Sequence, residues 1–248
     1  MKKYILFVLC YCFVLKGNSQ TVDMSSPINY GSVKQWSLKA GDTMLGKVFS
    51  VEKGEPKLVF YPTQSDFLHK TLIVSGTYTS TDAKVAGSAL DANCAQVGNI
   101  NDKAFKPNAY LSFSSAVKFS DLPLCSSIPV YQLIKDGIAQ TDVIASRIKS
   151  KTQWRFFIIK KWKETFDNGS TLEGQDYLIA DFDVALTLSN ACAYVKALER
   201  NRYYDRYHYQ STIDACLLDT GAFRGFLLNG EKKDGNFPTK QSNVIIIN

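Results

Sequence analysis

Histidine is almost missing from this chain: His69 and His208 are the only two in 248 residues. That scarcity argues against a zinc cluster built on imidazole ligands. It also leaves a Ser-His-Asp or Cys-His triad only two places to form. His69 closes the run Asp66-Phe67-Leu68-His69 and His208 sits among tyrosines, and neither neighbourhood carries a nucleophile-elbow pattern. No Cys-x-x-Cys pair occurs, so the cysteines lack metal-ligand spacing. A glycine-rich phosphate loop is missing too: Gly221-Ala222-Phe223-Arg224-Gly225 has neither the spacing nor the lysine. Beyond the N-terminus no run approaches eighteen consecutive apolar residues, the length a membrane helix needs. The residues therefore suggest no catalytic group, no cofactor and no metal, and no transmembrane segment in the mature chain.

The N-terminus is the most informative segment. Lys2 and Lys3 precede an unbroken apolar run over residues 4–15, and the polar stretch Lys16-Gly17-Asn18-Ser19 follows. Twelve residues in a helix rise roughly 18 Å, short of a hydrocarbon core about 30 Å thick. The run fits the apolar region of a signal peptide, with Gly17 and Ser19 supplying small residues for cleavage near Ser19. The rival interpretations are a buried N-terminal strand or an uncleaved anchor. Leu9 and Tyr11, just before Cys10 and Cys12, are too large for a lipid-attachment site. Export to the periplasm or the extracellular space is the expectation.

Removing residues 1–19 changes two further quantities. The formal charge of +6 includes Lys2, Lys3 and Lys16, so three fewer leaves +3 on the mature part. That mild excess does not call for nucleic acid. Of six cysteines, Cys94, Cys125, Cys192 and Cys216 remain, an even number in an oxidising compartment. Four cysteines allow three pairings; Cys94–Cys125 and Cys192–Cys216 are favoured because each closes a modest loop.

The polar stretch 20–32 reads as a linker. Residues 33–38 read as a strand with Trp36 and Leu38 on one face. Asp42 or Thr43 then caps an expected helix whose Leu45, Val48 and Phe49 fall at i, i+3 and i+4, ended by Gly54 and Pro56. Residues 57–61 and the alternating Leu72, Val74 and Tyr78 suggest two strands. A second helix is expected behind Ser80–Asp82, with Val85, Ala86, Ala89 and Leu90 inward. From residue 93 onward longer strands prevail, over 110–119, 130–134 and 154–163, with a turn at Asp167-Asn168-Gly169-Ser170. Leu178, Ala180, Phe182, Val184, Leu186 and Leu188 alternate perfectly, which favours a half-buried strand. Helices are expected over 191–202 and 212–219, and strands over 222–228 and 244–247. The fold class that follows is α+β: a small β-α-β-β-α domain over 33–92, then a β-rich disulfide-bonded domain over 93–248 with one or two short helices.

The stretch Trp36-Ser37-Leu38-Lys39-Ala40-Gly41-Asp42-Thr43-Met44, followed by Gly54, residues 57–61 and Gly76, carries a family resemblance. It resembles the small domain of toxin-coregulated-pilus and PilL-type biosynthesis proteins, and is similar to the short N-terminal domains of secretins and TonB-dependent receptors. Gly-Asp-Thr also opens LysM modules, but those close after two helices without the further strands. Ser50-Val51 stands where the family usually has an aromatic pair. The resemblance implies a periplasmic, non-enzymatic part of a pilus, secretin or related transport machine.

Two stretches are candidate partner-binding surfaces. One is the basic run 147–163, where Arg147, Lys149, Lys151, Arg155, Lys160, Lys161 and Lys163 interleave with Trp154 and Trp162. The other holds Arg200, Arg202, Tyr203, Tyr204, Arg206, Tyr207 and Tyr209. Arg, Tyr and Trp dominate interface hot spots. The expected partner is an envelope or secretion-machinery protein or an anionic envelope polymer. A secreted effector, adhesin or immunity-type binder is the alternative. A hydrolase using Asp181 and Asp183, at i and i+2 on one strand face, is the third.

Overall fold

The computed structural model describes residues 23–77, 79, 84–98, 107–131, 133–135, 138–139, 151–200, 209–219, 224–235 and 241–248. The expected signal peptide lies outside them. The largest assembly is an eight-stranded sheet in the order β1-β2-β3-β14-β13-β15-β11-β12. Its strands are β1 (Asp23–Asn29), β2 (Val33–Ala40), β3 (Thr43–Val51), β11 (Leu133–Lys135), β12 (Ile138–Ala139), β13 (Arg155–Thr165), β14 (Thr171–Phe182) and β15 (Tyr209–Leu217). A second sheet orders β7 (Gln96–Val97), β6 (Ala89–Leu90), β10 (Ser127–Val130), β8 (Ala109–Ser112) and β9 (Lys118–Ser120). The third orders β17 (Glu231–Gly235), β16 (Gly225–Leu228), β5 (Leu72–Ser75), β18 (Asn243–Ile247) and β4 (Lys57–Phe60). The strand pairings are antiparallel throughout the described residues.

The spine is the β13–β14 hairpin, closed by the Asn168-Gly169 turn and paired without interruption from Arg155↔Asp181 to Thr165↔Thr171. Both faces of the sheet around it are buried, which is why Phe156, Phe157, Ile158 and Ile159 run consecutively. Phe156 and Ile158 pack on the single helix among the described residues, α1 (Leu188–Ala197), together with Trp36, Leu38, Val48, Leu178, Ala191 and Val195. Phe157 and Ile159 face the other way, against Leu72, Val74, Phe226 and Ile245 of the third sheet and Leu111 and Ile128 of the second. Each such side chain contributes about 1.5–3 kcal/mol relative to exposure. Beyond the third sheet, Phe67 from a 3-10 turn at Gln64–Phe67 covers Ile73, Val244 and Ile246.

The α+β expectation fails: three antiparallel sheets and one described helix make a mostly β protein. Residues 43–53 are not a helix. β3 pairs with β2 on one side and β14 on the other. Leu38 faces Gly46 while Lys39 faces Met44, so a bulge skips Leu45. That extra residue brings Leu45 and Val48 into one core while Phe49 enters the other. The i, i+3 spacing is thus the signature of a bulged strand.

The expected helix near 85–90 is also strand. Val85 bridges Thr79, Gly87 adopts φ +94°, and Ala89 and Leu90 form β6. Residues 212–219 fail as a helix because β15 is buried on both faces, with Ile213, Ala215 and Leu217 in one core and Cys216 and Leu218 in the other. The linker expected over 20–32 contains β1, whose irregularity between Ser25 and Ile28 accommodates Pro27 on the sheet edge. Strands from 33–92 pair with partners far along the chain, β3 with β14 and β5 with β16 and β18. A boundary at residue 92 would therefore cut through hydrogen-bonded sheets.

Candidate functional site

A cleft of about 180 Å³ opens where the large sheet and the third sheet part company. Its wall is built by register. Lys47 of β3 lies opposite Asp181 of β14, and Asp181 lies opposite Arg155 of β13, so cation, carboxylate and cation form one row across three strands. The row sits on the inter-sheet face because residues alternate along each strand. Gly46 permits the close approach: a Cβ there would run into the Asp181 carbonyl and crowd the backbone of Phe182 and Asp183.

Arg155 is 1% exposed. Its Nε donates to Asp181 Oδ1 at 2.9 Å and its Nη1 to the Gly225 carbonyl at 3.0 Å. The guanidinium also lies 4.9 Å from the centre of the Phe226 ring. One arginine thus neutralises Asp181 and fastens the third sheet to the first. Asp183, one step further along the same face, has a different environment. Burial pushes its carboxyl above the usual range; Lys47 opposes this, Asp181 adds to it, and Arg155 and Arg224 oppose it further. Both members of the Asp181/Asp183 pair line the cleft, and Asp181 is the one held by Arg155. Gln153 steadies the rim, donating to the Asp183 carbonyl at 2.6 Å and accepting from Arg224 Nη1 at 3.2 Å. Lys233 and Gln35 complete the polar lining, and Phe49, Phe226 and Leu228 lie behind it, almost fully buried.

The residues chosen from the sequence as a partner surface separate into groups. Trp154 is core, 3% exposed, with its indole N–H on the Leu186 carbonyl at 2.7 Å. Trp162 is half-buried. It covers Gly174, where any Cβ would strike the ring, donates to Asp176 Oδ1 at 3.1 Å, and stacks on Tyr209 at 6.3 Å and 16°. Lys160 is buried beneath, its ammonium on the Leu198 carbonyl at 3.1 Å and 5.8 Å from the Tyr209 ring centre. Burial raises the Asp176 carboxyl, with the Trp162 hydrogen bond and Lys160 acting against it. Arg200 is exposed beyond the end of α1. Arg202, Tyr203, Tyr204, Arg206, Tyr207 and His208 lie outside the described residues, as do Arg147 and Lys149. The basic run divides between faces: Arg155 and Lys160 are structural, and Lys161 pairs with Asp214 at 2.7 Å.

Cys94 and Cys125 are joined, with Cα atoms 4.4 Å apart. The Cys192–Cys216 pairing fails. Cys192, on α1, belongs to the helix-side core, and Cys216 points into the core on the opposite face of the sheet. Both are buried free thiols, and burial pushes Cys192 up to about 12.

Lys47, Gln153 and Arg224 escaped sequence reasoning because they stand far from Asp183 along the chain, and only sheet pairing assembles them. Among the described residues no group of His, Cys, Asp and Glu is arranged to hold a metal ion, and no helix is long and apolar enough to cross a membrane. No family model, no curated protein and no solved structure matches this chain.

Proposed function

We propose that this chain is an exported binding protein that docks a protein of the cell envelope or its secretion machinery through the rim built on Trp162 and Tyr209, where β13 ends and β15 begins. The observation that carries the proposal is the pre-set aromatic pair: Trp162 is held from below by Gly174, from the side by Asp176 and face-on by Tyr209. Aromatic side chains fixed before contact lose little entropy on binding. Tyr209 and Arg200 bracket the tyrosine- and arginine-rich stretch 201–208, whose composition is that of interface hot spots. The disulfide Cys94–Cys125 and the N-terminal signal pattern support an oxidising address outside the cytoplasm.

The test is photocrosslinking in intact cells from a probe placed at Tyr209, followed by affinity measurement with the captured partner. Trp162→Ala should weaken that complex roughly thirtyfold, the equivalent of about 2 kcal/mol for a hot-spot residue, while circular dichroism stays unchanged. Unaltered affinity would remove the aromatic pair from the interface. Recovery of the protein in the culture medium, with no envelope crosslink, would transfer the proposal to a secreted effector or adhesin.

A further inference from the structure

The β13–β14 hairpin closes through Asn168-Gly169-Ser170, and all three residues are exposed. Asn168 Oδ1 accepts from the Ser170 N–H at 2.9 Å and from the Ser170 hydroxyl at 2.6 Å. This is an Asx turn, in which the side-chain amide folds back over the peptide that follows it. Two donors on one oxygen draw electron density from the amide carbon Cγ and make it a better electrophile. The neighbouring nucleophile is the Gly169 nitrogen. Glycine has no side chain to shield it, and no heavy atom beyond the chain neighbours lies within 4 Å of where a Cβ would stand. The turn is held by bonds inside 166–170: the Phe166 N–H on the Ser170 carbonyl at 2.9 Å, and the Gly169 N–H on the Phe166 carbonyl at 2.8 Å. Freeing the Gly169 nitrogen thus breaks one local bond at an exposed tip. The other Asn-Gly pair, Asn229-Gly230, is tied to the body of its sheet, with Asn229 at φ +50° and its N–H on the Thr71 carbonyl at 2.7 Å.

We infer that Asn168 is a site of spontaneous deamidation in the folded protein, with water as the only co-reactant. The Gly169 nitrogen gives its proton to solvent hydroxide and attacks Asn168 Cγ. A C–N bond forms and closes a succinimide ring; the Cγ–Nδ2 bond breaks, and ammonia leaves with a proton taken from water. A second water then opens the ring at either carbonyl, leaving aspartate or isoaspartate at position 168. Both products place a new carboxylate beside Asp167 at the tip. Isoaspartate also adds a methylene to the main chain inside the turn, so the closing pair Thr165↔Thr171 loses the geometry that joins it. The reaction needs no partner and is independent of docking at Trp162.

The test is incubation of the mature protein at neutral and mildly alkaline pH, with the tryptic peptide 164–196 followed by mass spectrometry. Asn168→Asp supplies the chromatographic standard, and isoaspartyl methyltransferase reports the isomer. Asn168 should lose its amide faster than Asn229, and faster as pH rises, because the attacking nitrogen must be deprotonated. Ser170→Ala removes the hydroxyl donor and should slow the conversion roughly fivefold, the rate equivalent of one net hydrogen bond. Hydrogen exchange at Thr165 and Thr171 should quicken in the isoaspartate fraction. Four results would each overturn the inference: an amide still intact at Asn168 when the same protein unfolded in urea has lost it, equal rates at Asn168 and Asn229, an unchanged rate in Ser170→Ala, or a glycan on Asn168, which would occupy the leaving nitrogen.

Discussion

On one face of the large sheet the cover comes from nearby sequence, for α1 follows directly on β14, whose inward residues it buries. On the other face the cover comes from afar, since β5 and β18, which close it, are separated by most of the chain. The helix side is mostly apolar, and the buried ammonium of Lys160 sits at its Trp162–Tyr209 rim. The inter-sheet side is apolar in the middle and ends in ions, with Arg155 bonded across the gap to Gly225. A local cover needs only hydrophobic fit. A remote one must also be told where to land, and directional polar bonds supply that instruction. The same end of the sandwich continues the theme: Ser75 bonds Gln241 at 2.8 Å, and the Asn243 amide joins Thr77 and Ser242, all buried.

The contrast is broken most directly at Arg155. Arg155→Met should destabilise the protein by about 3–5 kcal/mol, because it strands the Asp181 carboxylate against the sheet interface. Adding Asp181→Asn should recover much of that loss in urea denaturation. If the single substitution is neutral, the ionic end does not direct the remote cover. Reducing Cys94–Cys125, which closes a 31-residue separation, should cost about 3–4 kcal/mol by the chain-entropy estimate. Hydrogen exchange should locate that loss in the second sheet and leave α1 protected. In the native protein Cys192 and Cys216 should resist alkylation until unfolding, and a mass showing them joined would contradict their opposite faces.

Gly46→Ala tests the approach of β3 to β14. An added methyl meets backbone, so a cost of about 1–3 kcal/mol is expected, as for an overpacked core. The smallest effect belongs to Asp183. Its folded carboxyl is raised, so the neutral form is favoured on folding. The resulting stabilisation is complete below the ordinary carboxylate range and is lost as pH rises through the raised value. Asp183→Asn should flatten that slope between mildly acidic and neutral pH. The change should stay under about 1 kcal/mol because the cleft is open to water.

The parts of the fold legible in the sequence are those whose neighbours are local. Leu178, Ala180, Phe182, Val184, Leu186 and Leu188 alternate, and all six reach the helix-side core, although β14 ends at Phe182 and α1 begins at Leu188. Trp36 and Leu38 share a face as expected. What was illegible has a common cause. A bulge at Leu45 and burial of β15 on both faces each destroy period-two alternation, and the remaining pattern imitates a helix. The site shows the same limit. Asp181 and Asp183 stand out as a pair two residues apart, but which one is neutralised depends on Arg155, and who faces the other depends on Lys47 and Arg224. None of these is local. Cys94–Cys125 was foreseeable as a short closure, whereas the sidedness that keeps Cys192 from Cys216 exists only once the sheet forms.

Glu199 has a consequence for how this protein can diversify. Its carbonyl accepts from the Ser211 hydroxyl at 2.6 Å, and its carboxylate accepts from the Ile213 N–H at 3.2 Å. The chain that departs after α1 is thereby clasped where it re-enters β15. Once such a clasp is made, lengthening the enclosed segment adds little closure entropy, about 0.6 kcal/mol per doubling. An insertion between Arg200 and Tyr209 should therefore leave the pairing of β15 with β13 intact, which hydrogen exchange can check. The register of β15 at this corner is thereby held by Glu199, Ser211 and Ile213, all of which lie outside 201–208.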